Sequence, residues 1–270
     1  MNIKFKSYDG YDLVGTLLKA GDERGALLFV HGITSSKDEL GFHSDYAKFL
    51  CENGITSFRF DYRFHGGKNE GNLKLEHLSL CGIVNDIDAA FNVLMNNVDS
   101  ETKAFFVVAT SFGGGLSAYW VDSKDKNEIR KVILNAPVIS YENDVLERNN
   151  LVESGFLSEK AQKQLNKKGF VNSSDIHFGR GLINELRYIN GINALKNLGS
   201  RVVIFHGDED EDVPLDSSKR YKSDLTQLEI IPKVGHGFGV EDDEDLDFPE
   251  TKAIHGDIYK KALGYIEEVL

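Results

Sequence analysis

Ala109-Thr110-Ser111-Phe112-Gly113 sets a serine between two small residues, after the apolar run Ala104-Phe-Phe-Val-Val and before Gly114 and Gly115. This is the G-x-S-x-G nucleophile elbow with Ala at its first position. A sharp strand-to-helix turn strains the serine backbone and leaves no room for flanking side chains, a demand that Ala109 and Gly113 meet. The pentapeptide alone would arise by chance in roughly one chain of this length in five. Its place, where a buried strand meets a helix, gives it weight.

A serine nucleophile needs a base, and Val234-Gly235-His236-Gly237-Phe238 offers an imidazole between glycines in the loop after the last apolar run, Leu228-Glu-Ile-Ile231. The acid comes from His206-Gly207-Asp208-Glu209-Asp210-Glu211-Asp212-Val213-Pro214, which follows Val202-Val-Ile-Phe205; Asp208, Asp210 and Asp212 compete for the role. Ser, Asp and His then follow one another, each just after a separate strand, in the order hydrolytic triads of this motif use. The acidic run superficially spells a calcium loop, but Val213 stands where Gly is required and Lys219 where the closing Glu should be.

Acyl transfer also needs donors for the oxyanion. Leu27-Leu-Phe-Val30 runs into His31-Gly32-Ile33-Thr34, whose glycine turns a backbone N–H toward a ligand, so the amides of Ile33 and Phe112 are assigned as the two donors. Phe112 lies at the amino end of its helix, where the dipole favours negative charge. His31 is read as orienting this loop rather than reacting. None of the eight histidines falls in H-x-H, H-E-x-x-H or a cysteine-containing ligand spacing, and no phosphate-binding glycine loop occurs, so no metal or cofactor is expected.

The elements that must position these groups follow from hydrophobic rhythm. Residues 2–7 and 11–18 flank Asp9-Gly10, a turn dipeptide, so the sheet is expected to begin antiparallel. From residue 26 onward, short apolar runs at 26–30, 55–60, 104–109, 132–134, 202–205 and 228–231 suit strands buried on both faces. Leu80, Ile83, Val84, Ile87, Ala90, Phe91 and Leu94 recur at helical spacing. Alternating strands and helices imply right-handed crossovers and a mostly parallel α/β sheet. Residues 138–200 break the rhythm, being polar and too long for a connection, and read as an inserted cap of helices and a short hairpin between core segments 1–137 and 201–270.

A chain of 270 residues with 41% hydrophobic content can bury one large core. A net charge of −12 disfavours nucleic acid and anionic membrane partners and leaves a small-molecule substrate as the natural one. The start has no apolar leader, and no stretch approaches the roughly eighteen apolar residues of a spanning helix, so a cytoplasmic protein is expected. Cys51 and Cys81 lie in helical segments and read as two buried reduced thiols. The acidic run Glu241-Asp-Asp-Glu-Asp-Leu-Asp247 reads as a solvated loop.

Taken together these residues resemble the α/β-hydrolase superfamily from about residue 2 to the end, most closely its small bacterial carboxylesterases of the cinnamoyl or feruloyl esterase type. The stretch Phe58-Arg-Phe-Asp-Tyr-Arg-Phe-His-Gly-Gly67 looks like that group's R-F-D-F-x-G-H-G-x-S loop, with Phe64 in place of Gly and Lys68 in place of Ser, so Phe64 could reshape the pocket. The resemblance implies a mostly parallel sheet of about eight strands with helices on both faces. It also implies that the acid is Asp210, three residues after the Gly of H-G-x-x-D, and that His236 sits in the matching G-H-x-F context. The expected activity is hydrolysis of small-molecule carboxylic esters of small or aromatic acyl groups through Ser111, His236 and Asp210, by way of an acyl-enzyme. A thioesterase, amide hydrolase or acyltransferase would use the same relay. Epoxide hydrolases and haloalkane dehalogenases of this fold carry Asp at the elbow and are disfavoured by Ser111. A binding protein without catalysis is disfavoured by the complete set of side chains. Assembly is left open, a homodimer included.

Overall fold

A computed structural model describes residues 1–66, 75–99, 101–102, 104–173 and 176–270. Gly67 and Lys68 of the loop compared above lie outside the described residues. The chain opens with β1 (Asn2–Lys6), β2 (Asp12–Leu18), β3 (Gly25–Val30), α1 (Phe42–Glu52), β4 (Ile55–Asp61), α2 (Leu80–Met95), β5 (Phe105–Thr110), α3 (Phe112–Ser123) and β6 (Ile129–Asn135). A π-helical turn (Tyr141–Glu147) begins the segment read as a cap. The hairpin of β7 (Val152–Glu153) and β8 (Phe156–Leu157) follows, then α4 (Glu159–Lys168), the hairpin of β9 (Phe170–Ser173) and β10 (Ile176–Gly179), α5 (Arg180–Glu185) and α6 (Gly191–Leu198). The rhythm then resumes with β11 (Val202–Gly207), α7 (Leu215–Tyr221), β12 (Gln227–Ile231) and α8 (Pro249–Glu267).

Eight strands form one sheet in the order β1-β2-β4-β3-β5-β6-β11-β12. Its first two pairings are antiparallel and the rest parallel. Every residue of β3 and β5 is buried, because both faces of the sheet are covered. Along β3, Ala26, Leu28 and Val30 join an apolar cluster with Ile83, Ile87 and Phe91 of α2. Leu27 and Phe29 join the opposite cluster with Tyr46 of α1 and Ile258 of α8. Truncating one of the Leu, Ile or Phe side chains among them to Ala would cost about 2–5 kcal/mol. Among the described residues no helix is long and apolar enough to cross a membrane.

Strand order and register position the site. The chain leaves β3 for β4 on one side and returns to β5 on the other, so the sheet reverses its order there and opens a crevice at the carboxyl ends of the strands. Val30 pairs with Ala109, so the turn after β3 and the elbow after β5 emerge side by side. Gly207 pairs with Ile231, so the loops carrying Asp210 and His236 also emerge as neighbours.

One expectation is corrected here: Cys51 is half-buried and Cys81 exposed, and both are free. Leu80, Ile83, Val84 and Ile87 of α2 face the core, which turns Cys81, about 100° round the helix from Leu80, toward solvent.

Candidate active site

Ser111 stands between β5 and α3 with φ +51 and ψ −122. An L-residue held there costs on the order of 1–3 kcal/mol and persists only where the surroundings impose it. Close packing does so: a Cβ on Gly113 would lie 2.5 Å from the His31 carbonyl, and one on Gly32 would lie 3.1 Å from Ser111 Cβ.

The Ser111 hydroxyl lies 2.8 Å from His236 Nε2. On the far side of the ring, Nδ1 lies 2.8 Å from Asp210 Oδ2. Nδ1–H therefore donates to the carboxylate, and Nε2 keeps its lone pair for the Ser111 proton. The other carboxylate oxygen is fixed by the amides of Asp212 at 3.0 Å and Val213 at 2.8 Å. Burial would raise the Asp210 pKa, but hydrogen bonds from His206 and His236, with the backbone donor Val213, hold it down to about 2. His236 moves the opposite way. Burial would lower it, and the hydrogen bond and charge of Asp210 raise it above the ordinary imidazole range. Of the rival carboxylates, Asp208 is exposed and accepts from the Lys233 amide at 2.6 Å, and Asp212 is exposed. Only Asp210 of the three bonds to His236.

His206 was read only as part of the H-G-D string. Its Nε2–H lies 2.8 Å from the Val213 carbonyl and 3.3 Å from Asp210 Oδ2, while Nδ1 faces the Ser218 hydroxyl at 2.8 Å. It therefore supports the loop that carries Asp210.

The turn after β3 is held from several directions. His31 donates from Nδ1 to the Gly32 carbonyl at 2.7 Å and accepts the Tyr62 amide on Nε2 at 3.3 Å, which is the orienting role its position suggested. Tyr62 stacks on it at 3.9 Å and donates its hydroxyl to the same carbonyl at 2.8 Å. His65 accepts the Thr34 amide at 3.1 Å, and burial presses its pKa down to about 4. Glu39, which the sequence did not single out, accepts the Gly32 amide and the Ser35 hydroxyl, the latter at 2.7 Å. Burial raises its pKa. Among the described residues, neither the Ile33 nor the Phe112 amide donates to a loop or side-chain acceptor; Ile33 lines the same cavity as Ser111, and Phe112 follows Ser111 in the chain.

A cavity of about 900 Å³ opens over this group between the loops that follow β3 and β12. Ser111, His236, Ile33 and Leu40 line it together with Val240, Asp242, Asp243, Glu244 and Leu246. The acidic run is thus not simply a solvated loop: part of it walls the cavity, and Asp243 is buried, accepting the amides of Asp247 and Phe248 at 3.0 Å each where α8 begins. Phe64 lies apart from this lining, edge-on to Tyr11 at 5.3 Å. Its φ of +64 is the backbone state that the Gly of the compared pattern would adopt without strain.

The sheet order, the elbow and the crevice define an α/β-hydrolase. A family profile described as serine aminopeptidase, S33, matches residues 21–178, and the chain belongs to that family. Est1E of Butyrivibrio proteoclasticus, solved with ferulic acid bound, superimposes with a TM-score of 0.71 at 20% identity, covering 97% of this chain and 99% of that one. An esterase domain from Rhodothermus marinus gives a TM-score of 0.65 at 15% identity, with 98% of each chain covered. YfhR, an uncharacterized protein of Escherichia coli, is 22% identical over 267 residues, or 97% of this chain and 78% of that protein.

Proposed function

We propose that the protein is a serine hydrolase that cleaves carboxylic esters of small or aromatic acyl groups. The observation that carries this reading is the continuous relay from Ser111 through His236 to Asp210, 2.8 Å at each link, at the floor of a cavity of about 900 Å³. His236 takes the Ser111 proton as the oxygen attacks the ester carbonyl, and Asp210 stabilises the imidazolium that forms. The Ile33 and Phe112 amides receive the oxyanion, whose stabilisation is the largest electrostatic contribution in such reactions. His236 then passes its proton to the departing alcohol, leaving an acyl group on Ser111. Water, activated by the same imidazole, hydrolyses that ester and restores the enzyme. Among the described residues none of 138–200 lines the cavity, so selection of the acyl group falls first to the loops after β3 and β12 that wall it.

An amide bearing a free amino group is the second reading. Glu39, Asp242 and Glu244 line the cavity and would attract an ammonium, and the family description names an aminopeptidase. Parallel assays on p-nitrophenyl esters, acyl thioesters and aminoacyl anilides separate the two. A fluorophosphonate is expected to label one residue, Ser111, and Ser111→Ala is expected to abolish labelling and ester turnover together. Turnover persisting in that variant rejects the assignment.

A further inference from the structure

We propose that residues 135–141 form a strap that aims the Phe112 amide at the oxyanion, with Tyr141 as its key positioning residue; this rests on the serine-hydrolase reading above. The first amides of any helix lack intrahelical acceptors, so those of α3 must be satisfied or directed individually. Around the elbow, Ser111 N–H donates to the Asn135 carbonyl at 2.9 Å, Gly114 N–H to the Ser111 carbonyl at 2.9 Å and Gly115 N–H to the Val138 carbonyl at 3.0 Å. Leu116 N–H donates to the Tyr141 hydroxyl at 2.8 Å. The amides of Ser111, Gly114, Gly115 and Leu116, on either side of Phe112, are thus tied down.

The peptide unit that ends in Phe112 N–H begins with the Ser111 carbonyl, and that oxygen also accepts the Val138 amide at 2.9 Å. A peptide unit is planar, so fixing its oxygen from two sides fixes the direction of its N–H. Two donors on the oxygen also polarise the unit and strengthen its N–H as a donor. Tyr141 holds the next unit. Its hydroxyl donates to the Phe112 carbonyl at 2.5 Å while accepting from Leu116, so it stands between two groups that an ordinary helix would pair directly. Both peptide planes flanking the Phe112 Cα are therefore held by one segment.

The glycines after the elbow make room for this strap. A Cβ on Gly114 would lie 2.5 Å from Pro137 Cβ, and one on Gly115 would lie 2.5 Å from the Val138 carbonyl and 3.2 Å from the Tyr141 hydroxyl. Tyr141 is fully buried and packs edge-on against Phe112 at 5.1 Å. Burial pushes its pKa well above the usual phenol range, so the hydroxyl keeps its proton throughout the working pH range.

Tyr141→Phe removes the hydroxyl and keeps the ring. Wild type and variant are compared by kcat and KM on one p-nitrophenyl ester, by fluorophosphonate labelling rate, by affinity for a trifluoromethyl ketone that forms a tetrahedral adduct on Ser111, and by pH profile. Deleting an oxyanion donor outright costs about a hundred- to a thousandfold in kcat, so misaiming one is expected to cost roughly ten- to a hundredfold. Labelling rate and ketone affinity should fall by the same factor, with KM and the pH profile unchanged. If Tyr141→Phe does not fold, Gly115→Ala, which displaces the strap, is expected to give the same signature. Labelling rate and kcat both within twofold of wild type, in a wild type labelled at Ser111, overturn this proposal alone. Failure of the wild type to label at Ser111 overturns the reading beneath it.

Discussion

Asp210→Asn tests the relay at its most sensitive point. The two amides of Asp212 and Val213 are donors aimed at Oδ1, so the substituted side chain would place its carbonyl oxygen there and turn its NH2 toward His236. That NH2 would donate to Nδ1, which forces the ring proton onto Nε2 and removes the lone pair that takes the Ser111 proton. It would also confront the Nε2–H of His206, 3.3 Å from Oδ2. The charge is lost as well. Opposite unit charges 2.8 Å apart interact by about 6 kcal/mol at an effective dielectric of about 20. At about 1.36 kcal/mol per decade this corresponds to roughly a ten-thousandfold loss of rate. The assay is kcat/KM on a p-nitrophenyl ester, with Asp208→Asn and Asp212→Asn beside it. The Asp208 side chain holds only the Lys233 amide and that of Asp212 is exposed, so both controls should stay within about tenfold of wild type, in the range set by small structural shifts. A loss below tenfold at position 210, or a larger one at 212, would refute the reasoning.

Two further outcomes are expected. In the proposed mechanism His236 acts as the neutral base, and its folded pKa is raised, so kcat/KM should fall as pH drops through a value above about 6.5. The same shift stabilises the fold fully below about pH 6.5 and less as pH rises through the folded value. Activity and this contribution to stability thus run in opposite directions, and an acid limb below pH 6 would contradict the raised pKa. Asp86→Ala should lower stability by about 3–5 kcal/mol in denaturant unfolding, because it leaves a mostly buried guanidinium without its buried partner. Arg63 donates to that carboxylate from its amide at 2.9 Å, from Nε at 2.9 Å and from Nη2 at 2.7 Å, while its other partner, Asp9, is partly exposed. A cost below 1 kcal/mol would show the pair to be dispensable.

The strands of the central sheet were legible because burial on both faces writes itself as runs such as Gly25–Val30 and Phe105–Thr110, which nothing but a core requires. Ser111 and His236 were legible as candidates for a related reason: the glycines around them are local demands of the backbone. The choice among Asp208, Asp210 and Asp212 was not legible from the residues, and the resemblance supplied it. What selects Asp210 is the pair of amides that clamps Oδ1 and the reach of the neighbouring loop, a property of β11 lying beside β12. Glu39 and Tyr141 escaped altogether, and His206 showed only as part of the H-G-D string. Their partners include Gly32, Ser218 and Leu116, at separations and in conformations that carry no periodic signal.

Backbone strain shows why the site is harder to read than the sheet. Thr34, Glu39, Leu40, Ser111, Phe238, Asp242 and Leu246 line or border the cavity, and all have positive φ, between +43 and +65, although none is glycine. Each opposes its own local preference by on the order of 1–3 kcal/mol, so the loops cannot hold these conformations by themselves. They are imposed by contacts from elsewhere: Asp61 on the Lys37 amide at 2.7 Å, His65 on that of Thr34 at 3.1 Å, and Thr251 on that of Val240 at 3.2 Å. Local propensity and the final structure agree along β3 and β5 and disagree around Ser111. That disagreement is the expected signature of a backbone preorganised for chemistry, and it is why a sequence can announce a candidate nucleophile while concealing the loops around it.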